Sequence, residues 1–109
     1  MTLEDLKTVL DGTGIPVTYR CWTQNPEKGL PPPLPWICYL ETRPNNFSAD
    51  GVVYAAARGV QVELYTAEKD LASETAVEAA LTAAGIFYQK EEIWLESEQA
   101  YEILYEIEV

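Results

Sequence analysis

Carboxylates are the side chains through which this sequence could most readily perform acid–base chemistry. The 109 residues contain no histidine, so proton transfer would fall to the 18 acidic side chains. A catalytic carboxylate pair needs burial that separates two pKa values, and a sequence does not show such burial. Serine and threonine nucleophiles lack a histidine partner, and no glycine-rich phosphate loop precedes a predicted helix. The residues therefore favour a protein that is not an enzyme.

Four glutamates near the C-terminal strands are candidate oxygen ligands for Ca²⁺ or Mg²⁺. Their order matches no known cation-binding loop such as the EF-hand. We therefore predict no cofactor and no metal, and keep a metal-dependent carboxylate enzyme as a third interpretation. The four residues are Glu91, Glu92, Glu96 and Glu98.

The two cysteines, Cys21 and Cys38, fall on consecutive predicted strands. Their spacing matches no metal or redox motif, and zinc would need further cysteine or histidine ligands. We predict two small buried thiols, with pairing across the strands as the alternative.

The negative charge is concentrated in the second half of the chain. The formal net charge is −11, of which the segment from Glu63 onward contributes −10. Tight binding to nucleic-acid phosphates needs clustered lysine and arginine, so we predict no specific DNA or RNA binding. The first residues form an acidic amphipathic stretch without signal-peptide features, and no segment approaches the roughly 20 apolar residues of a membrane span. These features predict a soluble protein that is intracellular at synthesis.

Residues 1–109 are predicted to form one domain, because this length supports one modest core. Helical periodicity and N-cap residues predict one helix between Thr2 and Gly12 and a second between Asp70 and Gly85. We expect an α+β fold with a mostly antiparallel sheet of about five strands, two helices packed on it, and the order α-β-β-β-α-β-β.

The predicted strands alternate apolar and polar residues, and a polar connection is predicted at Thr42–Gly51. On the last strand, Glu102, Glu106 and Glu108 are expected to form a solvated face. The predicted strands are Val17–Trp22, Trp36–Glu41, Val52–Ala57 continued by Gly59–Thr66 as one ribbon, Ile86–Lys90 with Ile93–Leu95 as a short hairpin or bent strand, and Ala100–Val109.

A proline-rich segment, Gln24–Pro35, is predicted to be a long, stiff loop. Its run Pro31-Pro32-Pro33-Leu34-Pro35 also resembles the polyproline ligands of WW and SH3 domains. We favour the rigid loop, and the binding motif stays as the alternative.

Four sequence segments of the chain resemble segments of small virion proteins that are encoded in the morphogenesis gene clusters of tailed phages and prophages. The likeness is strongest to the tail terminator or tail completion group, with head-tail joining proteins as relatives. The segments are Pro35–Tyr39, Asn45–Gly51, Val62–Thr66 and Tyr101–Ile107.

This resemblance implies a non-enzymatic structural protein with a mixed α/β fold. Such proteins work as a ring, commonly a hexamer, that caps the tail tube and offers a docking face to the head. The implied partners are copies of this chain, the tail tube protein and head-tail connector proteins. The implied location is the virion tail or neck, after assembly in the cytoplasm of the bacterial host.

On this interpretation, one group of residues is predicted to contact other subunits or partners, and the four glutamates named above are predicted to line an acidic channel that repels passing DNA. The alternative function is an acidic DNA mimic that binds a basic nuclease or repressor. The predicted interface residues are Trp36, Asn45, Asn46, Phe47, Asp50 and Tyr65.

Overall fold

The computed structural model describes residues 1–20, 22, 32–49 and 52–109, with the backbone alone at 43–49 and 52–57. The predicted α+β class and the order α-β-β-β-α-β-β are confirmed. The elements are α1 (Leu3–Asp11), β1 (Val17–Tyr19), β2 (Trp36–Ala49), β3 (Val52–Thr66), α2 (Leu71–Ala83), β4 (Tyr88–Leu95) and β5 (Ala100–Glu108).

Both helices begin at the predicted caps. The Thr2 hydroxyl accepts from the Asp5 backbone N–H at 3.1 Å, while the Asp5 carboxylate accepts from the Thr2 backbone N–H at 3.0 Å. The Asp70 carboxylate accepts from the Ser73 backbone N–H at 3.0 Å. Helix α2 ends before Gly85, whose φ of +73° suits a residue without a side chain. The helix predictions are therefore confirmed.

The five strands form one sheet in the order β1-β2-β3-β5-β4. Strands β2, β3, β5 and β4 pair antiparallel, whereas β1 pairs with β2 in parallel. The long connection between Tyr19 and Trp36 makes the parallel pair possible, because it returns the chain to the end at which β1 began. The sheet is therefore mixed rather than purely antiparallel.

Strand β1 is shorter than predicted. It ends at Tyr19 because Arg20 has a φ of +70°, which leaves the extended conformation. Of the predicted continuation, Cys21 lies outside the described residues, as does the proline-rich segment up to Pro31.

Two other strand predictions need correction. The expected polar connection at Thr42–Gly51 is, as far as Ala49, the second half of β2. The expected break between Lys90 and Ile93 does not occur, because β4 pairs with β5 without interruption from Tyr88 to Leu95. Pairing with a neighbouring strand therefore outweighs the turn preference of residues 42–49. It likewise keeps the consecutive glutamates Glu91 and Glu92 in an extended strand.

The core lies between the two helices and one face of the sheet. Strands β3 and β5 place alternate residues in it, as predicted from their period of two. We call the opposite side of the sheet the outer face. No helix in the described ranges is long and apolar enough to cross a membrane. The largest fully buried side chains are Tyr105, Leu6, Leu10, Ile37, Leu64, Leu81, Ile103, Val60, Val62 and Val77.

Candidate functional site

Strands β2 and β3 extend beyond the rest of the sheet as a two-stranded hairpin, which we call the arm. Its strands are residues 43–49 and 52–57, paired from Arg43 to Ala49. Strand β1 covers β2 only at Ile37–Tyr39, and β5 meets β3 only from Gly59 onward, apart from the hydrogen bonds between Arg58 and Val109. Within the described part of the chain, the outer backbone edges of the arm are therefore unpaired.

The predicted interface residues Asn45, Asn46 and Phe47 lie on the β2 strand of the arm. They are strand residues and not loop residues. Asp50 lies outside the described residues. Pro44 has no backbone N–H to donate, but a strand tolerates proline where one of its edges is unpaired. At Pro44, no described strand pairs with the edge of β2 that faces away from β3. The structure thus brings three of these four predicted residues into one projecting element.

The other two predicted interface residues, Trp36 and Tyr65, pack against each other within the chain. They are register partners on β2 and β3, with ring centroids 6.4 Å apart. The ring of Trp22 lies 6.3 Å from that of Trp36. All three side chains are half-buried. They form an aromatic row on the outer face rather than projecting as isolated anchors.

A pair of glutamates adjoins this row on the outer face. The Tyr65 hydroxyl donates to Glu63 Oε2 at 2.6 Å and lies 3.3 Å from Glu102 Oε1. Burial and the neighbouring charge of Glu63 raise the pKa of Glu102 above its ordinary value. Burial and the hydrogen bond to Glu63 raise the pKa of Tyr65 as well. Glu102 is therefore not the fully solvated residue expected, whereas Glu106 and Glu108 are exposed as predicted.

The outer face of β3, β5 and β4 is acidic. Burial shows which residues of β3 and β5 face the core, and the residues between them must face outward. The β4–β5 register then assigns each residue of β4 to the same face as its partner. The buried residues are Val62, Leu64, Ile103, Tyr105 and Ile107. No lysine or arginine of these strands shares the outer face in the described ranges, because Lys90 is the register partner of Tyr105. The glutamates on the outer face are Glu63, Glu91, Glu102, Glu106 and Glu108.

The four predicted channel-lining glutamates do not share one surface. Glu91 lies on the outer face, but Glu92 is on the helix side, where its Oε1 atom accepts from Lys69 Nζ at 2.6 Å. Glu96 accepts from the indole N–H of Trp94 at 2.6 Å, and Glu98 lies in the turn between β4 and β5. Successive strand residues point to opposite faces, so consecutive glutamates are separated.

The two lysines of the acidic half converge on α2. The side chain of Glu74 is 3% exposed, and its two oxygens lie 2.7 Å from Lys69 Nζ and Lys90 Nζ. Glu78 lies 2.8 Å from Lys90 Nζ and accepts from the Tyr105 hydroxyl at 2.9 Å. Burial acts to raise the pKa of Glu74, but the hydrogen bonds from both lysines outweigh it and the pKa is lowered. This network joins α2 to β4 and neutralises two of its carboxylates.

Sequence analysis did not identify this network. Lys69 and Lys90 are the two basic residues of the segment from Glu63 onward. Their distance from Glu74 along the chain hides a contact that the β4–β5 hairpin and α2 create. This ion-pair network accounts for the lowered pKa of Glu74 and of Glu78.

A groove of about 1000 Å³ runs along the end of the sheet from which the arm leaves. The root of the arm contributes Thr42 and Gly59, and the turn from α2 to β4 contributes Ile86 and Phe87. Phe87 is 95% exposed, more than any other large apolar side chain described. Its neighbours Ile86, which is buried, and Tyr88, which is half-buried, point inward, and this alternation is the sequence signal for the exposure of Phe87.

Cys38 lies on β2 and is buried, with 3% exposure. Because Cys21 lies outside the described residues, the structure does not test the prediction of two buried thiols against the alternative of a cysteine pair. In the described part of the chain, no group of three or more histidine, cysteine, aspartate or glutamate side chains could hold a metal ion.

Comparison with known proteins adds no family assignment. No protein-family model matches the chain, and no curated protein sequence matches it.

Proposed function

We propose that this protein is a non-enzymatic structural component of a tailed phage or prophage, which closes the tail tube as a ring and joins the tail to the head. The arm is the observation that carries the proposal. A protein that acts by assembly needs a contact that copies can repeat, and an element that projects from one side of a domain can supply it. Residues Asn45–Ala49, which belong to a segment that resembles tail terminators, lie on the β2 strand of this arm.

The proposed mechanism is geometric. A ring with the symmetry of the tube would cover the last tube subunits, prevent further addition and present a new surface to the head-tail connector proteins. Head-to-tail contacts around an axis close into such a ring. Six copies are the number that the resemblance implies.

The acidic outer face supports a revised form of the channel hypothesis. Of the four glutamates predicted to line a channel, Glu91 lies on this face, together with four glutamates of β3 and β5. If the outer face borders the channel, its charge would repel DNA phosphates and leave the passing genome mobile. A structure of the assembled ring with this face on the outside would reject the channel hypothesis alone.

The proposed function is tested by deleting the gene from its phage or prophage. We expect tails of abnormal length that are not attached to filled heads, and restoration of normal particles by the gene supplied from a plasmid. Electron microscopy of the lysates measures tail length and head attachment. Tails of uniform length on filled heads after deletion would disprove the proposed function.

The acidic outer face is also the observation that favours a second candidate, a DNA mimic that binds a basic nuclease or repressor. A mimic would form a complex with a basic enzyme that dissociates as salt rises. Size-exclusion chromatography with light scattering distinguishes the two functions. A ring-sized species or assembly on tail tubes supports the first, and a salt-sensitive complex with a basic enzyme supports the second.

A further inference from the structure

We infer that the free edge of β4 pairs with the β4 edge of a second copy of this chain. The two strands run antiparallel about a two-fold axis, so that the two sheets join into one. The inference goes beyond the proposed function, because a two-fold contact closes on itself as a dimer and a ring needs a further contact between copies.

Strand β4 is the long edge of the sheet. Its eight residues run from Tyr88 to Leu95, and β5 pairs with one side of the strand. Within the described ranges, no strand pairs with the other side. At the opposite edge, β1 has only three residues and ends before Arg20, whose φ is +70°. The backbone groups on the outer side of β4 therefore form the better template for an added strand.

Two features that commonly prevent such pairing are missing from β4. The strand contains no proline, and its register with β5 continues without a bulge. A lysine that extends over an edge can also block an approaching strand. Here, however, Lys90 Nζ is held on the helix side, 2.7 Å from Glu74 and 2.8 Å from Glu78. The backbone of the β4 edge is thus open to another strand.

Two exposed aromatic side chains lie at opposite ends of this edge. Phe87 directly precedes β4 and is 95% exposed, and Trp94 near the end of β4 is 44% exposed. Large exposed apolar side chains are typical of surfaces that contact another protein. An antiparallel partner with the same sequence would place an aromatic side chain near each end of the joined edge.

Charge complementarity selects the second copy as the partner. In a two-fold antiparallel pair, opposite side chains share a face and one residue lies opposite its own counterpart. With Glu91 in that position, Lys90 lies opposite Glu92 of the second copy, and the symmetry repeats this pair. Glu92 already lies 2.6 Å from Lys69 Nζ in its own chain. The ion-pair networks of the two copies would therefore meet across the axis.

The same register also pairs the less polar residues. Tyr88 comes opposite Trp94, and Gln89 comes opposite Ile93. Aromatic pairs and pairs of opposite charge are the cross-strand contacts that stabilise a sheet. The one unfavourable contact is that of Glu91 with its own counterpart.

The neighbouring symmetric registers are less complementary. With Lys90 on the axis, two lysines face each other and Tyr88 comes opposite Glu92. With Glu92 on the axis, two glutamates face each other, Glu91 comes opposite Ile93, and no pair of opposite charge forms. The register with Glu91 on the axis is therefore the one that combines opposite charges with paired aromatic rings.

Disulfide crosslinking tests the register directly. Glu91→Cys places a thiol on the residue that faces its own counterpart. The α-carbons of such a pair lie about 4.5–5.5 Å apart, which is within the span of a disulfide. We expect Glu91→Cys to form a covalent dimer under mild oxidation. Mass spectrometry should locate the link between the two positions 91, which distinguishes it from links through Cys21 or Cys38.

Gln89→Cys is the matched control, because Gln89 is exposed on the same face of β4. In the proposed register its two copies are separated by about 13 Å along the strands, so Gln89→Cys alone should not form a dimer. Mixed with Ile93→Cys, it should form the mixed disulfide. Equal yields from Glu91→Cys and Gln89→Cys alone would overturn the inference, as would a link from position 91 to a segment outside β4.

Neutralising two adjacent glutamates should change dimerisation in opposite directions. Glu91→Gln removes the like charges at the axis and should strengthen the dimer at least about twofold. Glu92→Gln removes the carboxylate opposite Lys90 at both symmetric positions and should weaken the dimer by a similar factor. Both variants change the net charge equally, so general repulsion between copies does not produce opposite effects.

Sedimentation at several concentrations measures the dimerisation constants of the wild type and of both variants. We expect the wild-type chain to show a reversible equilibrium between monomer and dimer. Shifts of the same sign in the two variants would show that net charge, rather than the proposed register, controls association. A wild-type chain that stays monomeric would show that the β4 edges do not pair.

Discussion

Glu74 and Glu102 are single residues whose environments shift their pKa values in opposite directions. The ammonium groups of Lys69 and Lys90 hold the pKa of Glu74 below its ordinary value despite burial. Burial and the carboxylate of Glu63 hold the pKa of Glu102 above it. The two glutamates should therefore affect the pH dependence of stability with opposite signs.

We predict that Glu74→Gln lowers the free energy of unfolding at pH 7 by about 1–3 kcal/mol, because it leaves two ammonium groups beside a buried neutral side chain. The lysines are partly exposed and can recover some hydration, so the loss should fall below that of a fully buried pair. Urea denaturation measures the change. Glu92→Gln, which removes an exposed partner of Lys69, should cost less than about 1 kcal/mol.

The Glu74 effect should depend on pH. A lowered folded-state pKa gives stability that is present above the unfolded pKa, about 4.3, and is lost as pH falls through the folded value. The difference between the wild type and Glu74→Gln should therefore shrink below about pH 4. A difference that stays constant down to pH 2.5 would contradict the assigned ion pairs.

We predict the opposite behaviour for Glu102→Gln. The raised pKa of Glu102 means that the folded state favours its protonated form, so ionisation at neutral pH reduces stability. Glutamine removes the repulsion by Glu63 and keeps a carbonyl oxygen near the Tyr65 hydroxyl. The variant should be more stable at pH 7, by up to about 1 kcal/mol after allowance for solvent screening. The gain should disappear as pH falls through the pKa of Glu102, whereas the exposed Glu106→Gln should give a smaller gain.

At the level of elements, local signals predicted the helices well. Thr2 and Asp70 cap helices because their side-chain oxygens bind backbone N–H groups three residues later, which is a local interaction visible in the sequence. The apolar positions of α2 and β5 likewise follow the periods of a helix and a strand. Caps and periodicity depend on residues close together in the sequence. The sequence therefore predicts the helices and the buried positions of these elements correctly.

Non-local pairing explains what the sequence did not predict. Pro44, Asn45 and Asn46 favour turns, yet β3 provides partners that keep them in a strand. The parallel position of β1 depends on the path of a long connection, and composition does not specify that path. The groove brings together residues from the arm root, the turn after α2 and the end of β5. No short sequence motif contains all of its components.

The cap of α2 gives an element-scale prediction. Asp70→Ala should lower stability by about 1 kcal/mol, because the Ser73 backbone N–H loses its acceptor. Asp70→Asn keeps an oxygen at the cap and should retain most of the stability. Thermal unfolding monitored by circular dichroism measures both. Equal losses in the two variants would show that the charge of Asp70, rather than its cap, stabilises the helix.

At the scale of the whole molecule, the fold and the arm should be separable. The two helices and the sheet outside the arm bury a core that includes Leu6, Val62, Leu81 and Tyr105. We predict that replacing residues 43–57 by an Asn-Gly turn between Thr42 and Arg58 keeps the five-stranded sheet and abolishes ring formation. Circular dichroism tests the fold and light scattering tests the association. A shortened protein that still forms rings would show that the arm is not needed for assembly.

The uneven placement of compensated and uncompensated carboxylates has a practical consequence for handling the protein. On the helix side, the three carboxylates of Glu74, Glu78 and Glu92 share the two ammonium groups of Lys69 and Lys90, whereas the glutamates on the outer face of β3, β5 and β4 have no lysine or arginine of these strands beside them in the described ranges. The outer face therefore offers a surface without basic side chains from these strands, through which the protein can bind a cationic resin or a positively charged support film.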